Sequence, residues 1–112
     1  MEALSKEELL KIYEIVGSFQ EGLAPARKDK KWLHIYPNGE PAYEERYADV
    51  GFFHEGLASV RKGKDCFHIH PNSKPAYKER YGFAGPFQKG LALVQKGDKW
   101  FYIRPDGSPD QA

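Results

Sequence analysis

The sequence predicts a mainly β protein built from tandem 34-residue β-hairpin repeats, with short helical connectors and one N-terminal helix. Three observations carry that expectation. Sliding the 112-residue chain by 34 positions aligns 16–49 with 50–83 without a gap, 20 of the 34 positions being identical, and a shorter third copy over 84–109 matches the first at 13 of 26. A constant period marks one supersecondary unit stacked on copies of itself, each too small to bury its apolar side alone. Second, every copy carries Phe-x-x-Gly-Leu-Ala followed by a Pro-Asn/Asp-Gly/Ser-x-Pro stretch. In a helix interior glycine costs about 1 kcal/mol and proline about 3, so the two long helices of a tetratricopeptide unit, which shares this period, cannot be threaded through such punctuation. Third, Leu, Ile, Val and Phe are only 24 of 112 residues, but 7 Tyr, 7 Phe and 2 Trp supply the missing apolar area. The chain is read as a single repeat domain: an N-terminal helical cap over 1–15, repeats over 16–49 and 50–83, and a partial repeat over 84–112.

At the N-terminus, Ser5-Lys-Glu-Glu8 forms a capping box, and Leu9, Tyr13 and Val16 continue at helical spacing. A helix over about 6–15 is expected. The same three residues stand one period before Tyr43, Tyr47 and Val50. Each hairpin then has a first strand (Leu23–Arg27, Leu57–Arg61, Leu91–Gln95), a polar tip at 28–31, 62–65 and 96–99, and a second strand (Trp32–Tyr36, Cys66–His70, Trp100–Arg104). Pro37, Pro71 and Pro105 end the second strand, and Asn38-Gly39 and Asp106-Gly107 supply turn chemistry.

The connectors Pro41–Tyr47 and Pro75–Tyr81 are ambiguous. Alternation places Tyr43, Glu45 and Tyr47 on one strand face. Helical spacing joins Tyr43, Tyr47 and Val50, with Pro41 at the first helical position where its missing N–H does no harm. The helical pattern of the N-terminal counterpart decides for one to two helical turns at about 41–48 and 75–82.

Period 2 sorts the hairpin side chains into two faces. One carries Ala24, Ala26, Leu33 and Ile35, with Ala58, Val60, Phe67, Ile69, Ala92, Val94, Phe101 and Ile103, a plain core composition. The other carries Arg27, Trp32, His34 and Tyr36; Arg61, Cys66, His68 and His70; and Gln95, Trp100, Tyr102 and Arg104.

Phe-x-x-Gly-Leu-Ala-x-Val, then Lys-x-x-Lys-Trp, then Ile-x-Pro-Asp-Gly resembles the WG-type β repeats found in tandem in many bacterial proteins. The resemblance covers Val16 to Pro109. It implies a scaffold without a shared catalytic residue, of a kind regarded as an interaction module. Leu33 and Phe101 replace the glycine after the naming tryptophan, and Cys66 stands where the second repeat has its tryptophan.

Against this frame the chemical candidates divide. Cys66-x-His68-x-His70 would aim a thiolate and two imidazoles to one side of a strand, a donor set that suits zinc. The columns Trp/Cys/Trp, His/His/Tyr and Tyr/His/Arg put non-ligands in the same slots, so no metal and no cofactor is expected. A Cys66–His68 nucleophile pair lacks an orienting third group and an oxyanion hole, so no enzyme is expected. Trp32, His34, Tyr36, His68, His70, Trp100, Tyr102 and Arg104 form the candidate binding panel for a protein or peptide, since Trp, Tyr and Arg dominate interaction hot spots. Coverage by a second packed layer of the same chain is the competing explanation. The alternative site is a basic edge of Lys28, Lys30, Lys31, Lys62, Lys64, Lys96 and Lys99, suited to a polyanion or nucleic acid. It is the weaker reading, because the net charge is only +1. An uncovered end face would favour an end-to-end homodimer. A single cysteine excludes an intrachain disulfide, no apolar run reaches the roughly 20 residues of a membrane span, and the acidic start is unlike a secretory leader. A cytoplasmic location is expected.

Overall fold

The structure, a computed structural model, describes residues 2–110. Its strands fall into three antiparallel sheets of three strands each, one per repeat. The first holds β1 (Ile15–Val16), β2 (Ala24–Lys28) and β3 (Lys31–Ile35); the second β4 (Asp49–Val50), β5 (Ala58–Lys62) and β6 (Asp65–Ile69); the third β7 (Phe83–Ala84), β8 (Ala92–Lys96) and β9 (Lys99–Ile103). In each, a two-residue lead-in strand pairs with the first hairpin strand, which pairs with the second. The sheets follow one another along a body of 46 × 26 × 18 Å.

Turn chemistry explains the corners. Between lead-in strand and hairpin, Glu21-Gly22, Glu55-Gly56 and Lys89-Gly90 all have positive φ, +53/+84, +52/+82 and +53/+82°. This is the signature of a type I′ turn, whose second corner glycine takes without strain. The second and third turns also receive the carboxylate of the turn before them. Glu21 accepts from the backbone N–H of Glu55 and Gly56 at 2.7 and 2.9 Å, and Glu55 accepts from Lys89 and Gly90 at 2.5 and 2.8 Å. These bonds tie successive repeats edge to edge.

The core rows are those that alternation selects. Ala24, Ala58 and Ala92 are at most 1% exposed, and Ile35, Ile69 and Ile103 are fully buried. Val16↔Ala26↔Leu33, Val50↔Val60↔Phe67 and Ala84↔Val94↔Phe101 are the matching cross-strand triplets.

Two expected helical features are absent. Residues 41–48 and 75–82 form no helix; they run extended along the outer edge of β3 and β6. The Trp32 N–H donates to the Tyr47 carbonyl at 2.8 Å, the Tyr47 N–H returns a bond to Trp32 at 2.9 Å, and the Ala42 N–H donates to His34 at 2.9 Å. Between these anchors the connector bows outward. The Arg46 Nη1 gathers the carbonyls of Tyr43, Glu44 and Glu45 at 3.1, 2.7 and 3.0 Å, and Arg80 does the same for Tyr77, Lys78 and Glu79. The unpaired edge of β3 outcompetes a helix that could be only two turns long.

The N-terminal helix is also shorter than expected. α1 spans Lys6–Leu9, with the capping box formed as read from Ser5 and Glu8. Residues 10–12 turn, and Glu14 already donates to the Arg27 carbonyl at 2.8 Å, so the chain enters β1 where helix was expected. Leu9, Tyr13 and Val16 are buried nonetheless. The Tyr13 hydroxyl donates to the Gly39 carbonyl at 2.8 Å, in the position from which the Tyr47 hydroxyl reaches Ser73 Oγ at 3.2 Å.

Candidate interaction surface

The mixed aromatic and imidazole face is divided by the stacking. In the first repeat it meets the lead-in strand of the second. His34 is fully buried there. Its Nε2 lies 2.7 Å from the Gly51 carbonyl, which can only accept, so Nε2 carries the proton. Nδ1 therefore accepts from the Tyr43 hydroxyl at 2.6 Å. The ring also packs on Phe53 with centroids 4.5 Å apart. His68 repeats the set with Gly85, Tyr77 and Phe87 at 2.7, 2.6 and 4.5 Å. Burial pushes the His34 imidazole down to about 4, the bond to Gly51 offsetting part of this, and moves His68 in the same direction. Burial likewise raises the hydroxyls of Tyr43 and Tyr77.

His34 and His68 therefore leave the binding panel: each is a neutral core residue joining one repeat to the next. The sequence did hold a signal for this. A tyrosine nine residues after each histidine and a glycine seventeen after it recur in both copies. The third copy has Tyr102 in this column, and it is 51% exposed.

The rest of the panel separates. Trp32 is partly buried, its backbone paired with Tyr47. Tyr36 is 44% exposed, and His70 is exposed. Trp100 and Tyr102 alternate along β9, and Arg104 is drawn aside to Asp110 at 3.1 Å and the Pro109 carbonyl at 2.8 Å. The structure adds Phe83, whose ring lies 5.6 Å from that of Trp100, and the exposed Phe52. Phe83 occupies a column that reads Ile15, Asp49, Phe83, and this irregularity hid it from a repeat-based reading.

All seven lysines of the basic edge are exposed. Asp29, Asp65 and Asp98 share the same tips, and Lys28 and Lys96 lie 6.0 Å over the rings of Tyr13 and Tyr81. In the Cys-x-His-x-His stretch, both nitrogens of His68 are engaged. The Cys66 Sγ faces the Gly82 carbonyl at 3.6 Å, and burial raises its thiol. Among the described residues no cluster of His, Cys, Asp and Glu is placed to hold a metal. A groove of about 310 Å³ runs past Cys66, between the second sheet and β7.

A family model for the WG containing repeat matches three tandem stretches, residues 6–32, 37–64 and 71–100. The chain belongs to the WG-containing repeat family. No curated protein and no solved structure matches it. The tryptophan of the WG repeat is here Trp32 and Trp100, with Cys66 between them. The glycine that follows it in the WG pattern is replaced by Leu33, Phe67 and Phe101, and Leu33 and Phe67 are at most 5% exposed. The match also begins at residue 6, within the segment whose Leu9, Tyr13 and Val16 take the places of Tyr43, Tyr47 and Val50. No helix of the described residues is long and apolar enough to cross a membrane.

Proposed function

We propose that this WG-repeat chain is a non-catalytic scaffold for protein or peptide interaction. The observation that supports it most is the set of large aromatic side chains left on the surface of a frame whose buried polar side chains are satisfied. Phe52, Phe83, Trp100 and Tyr102 are 49, 42, 57 and 51% exposed, whereas the buried side-chain polar atoms among the described residues all have partners. Trp and Tyr bring large contact area at low entropic cost, which suits them to a partner's surface. The reactive groups point the same way. His34 and His68 are consumed by structural bonds, and Cys66 is held toward its neutral thiol. Polyanion binding through the lysine tips has less support, since each tip carries its own aspartate. A free thiol fits a reducing compartment, and we place the protein in the cytoplasm on that ground.

The reading is tested by capturing partners on the immobilised chain and repeating the capture with two variants. Trp100→Ala/Tyr102→Ala is expected to lose a specific partner, and Lys→Ala at the three tips to retain it. Loss with the lysine variant alone, together with steep sensitivity to salt, would establish the polyanion reading instead.

A further inference from the structure

Residues 32, 66 and 100 read Trp, Cys, Trp, and all three hold the same register, opposite Arg27, Arg61 and Gln95. In the third repeat the indole of Trp100 leans toward the lead-in strand, against Phe83, the cross-strand neighbour of Gln95. In the third repeat the indole thus lies beside the lead-in strand, with Trp100 and Phe83 57 and 42% exposed, and Trp32 at the same register is partly buried. In the second repeat the corresponding residues are Asp49 and Arg61. A thiol is too short to cover them. The groove of about 310 Å³ opens there, lined by Asp49, Ser59, Arg61 and Cys66 on one side and by Gly82 and Phe83, where the third sheet begins, on the other.

We propose that this groove binds the tryptophan side chain of a partner polypeptide, at the register where the sister repeats carry Trp32 and Trp100. The proposal rests on the interaction-scaffold reading and names its contact. The exposed Phe83 ring offers an aromatic wall. Arg61 lines the groove, its guanidinium donating to the Gly63 carbonyl at 3.1 Å, and supplies a cation beside the ring. An indole N–H can only donate, and the Asp49 carboxylate and Gly82 carbonyl stand at the groove as acceptors. Asp49 and Arg61 balance in charge, which suits a neutral ring better than a nucleotide, whose phosphate would meet the carboxylate. The thiol takes no chemical part; its shortness makes the space.

The test uses the full chain, labelled with nitrogen-15 and titrated with N-acetyltryptophanamide. Saturable shifts are expected at the amides of Cys66, Gly82 and Phe83. Cys66→Trp fills the groove from within and is expected to weaken binding about tenfold or more. Phe83→Ala removes a wall from an exposed position without touching the core, and is expected to weaken binding severalfold. No saturable shift in the wild type, undiminished binding in both variants, or tighter binding of adenosine monophosphate at the same amides would overturn the proposal. A captured partner that is lost with Trp100→Ala/Tyr102→Ala but unaffected by Cys66→Trp would also overturn it, while leaving the scaffold reading in place.

Discussion

His34 shows how one side chain can be both central to stability and misread from its pattern. Alternation assigned it to the outward face, and it does point that way, but the next repeat covers that face. Replacing it with alanine leaves the Tyr43 hydroxyl and the Gly51 carbonyl without their partner and opens a void against Phe53. His34→Ala is expected to cost about 3 kcal/mol, combining an orphaned buried polar pair with a cavity, measurable by urea unfolding. The same residue sets a pH dependence. Its folded pKa of about 4 lies below the 6.5 of the exposed imidazole, so the unfolded chain binds a proton that the folded chain refuses. Stability is therefore complete above pH 6.5 and declines as the pH falls toward 4. The loss from this one group amounts to about 3 kcal/mol at the lower end, with His68 adding to it in the same direction. Unfolding midpoints across that window check the sign. A midpoint that rises on acidification would refute it.

At the level of elements, the hairpins were legible because three signals coincided: alternation, proline stops and turn residues. The connectors were not. Tyr43 and Tyr47 are four apart, which satisfies a helix, but they are equally two ends of a bow anchored on β3. What decides between these is the open edge of β3, which pairs with Ala42 and Tyr47, and the Arg46 guanidinium then draws three carbonyls of the bow together. Arg46→Ala is expected to leave the hairpins intact and cost about 1 kcal/mol, in keeping with charge-assisted bonds on an exposed loop. Faster hydrogen exchange at the amides of Ala42 and Tyr47 would localise the effect; an unchanged exchange pattern would show the bow to be held by other contacts. The aromatic panel was legible only in part. Its residue types were right for a surface, but which of them are covered depends on the neighbouring sheet, and sequence period alone cannot see across that joint.

At the scale of the molecule, each repeat is stabilised largely by the one beside it. The histidine bridges, the tyrosine hydroxyls and the Glu21 and Glu55 carboxylates all cross from one repeat to its neighbour. Such coupling makes unfolding cooperative even though the three sheets share no strand pairing. Glu55→Gln keeps an acceptor oxygen but loses the charge that serves two N–H donors at once. It is expected to lower stability by about 1 kcal/mol, read by thermal unfolding, with a single transition retained. Two separated transitions would mean that the joints carry less of the stability than their bonds suggest.

The path of the connector has a consequence for how such a chain can change length. Residues 41–47 edge one sheet, and 49–50, one residue further on, begin the next. A seam of this kind tolerates no slack. One residue gained or lost between Pro41 and Val50 would turn Tyr47 or Val50 away from its buried site and pull the following turn off its glutamate. Gain or loss of a whole 34-residue period built like the first two copies leaves these contacts with equivalent partners, whereas the third copy, with Lys89 and Tyr102 in the glutamate and histidine columns, offers neither to a following repeat.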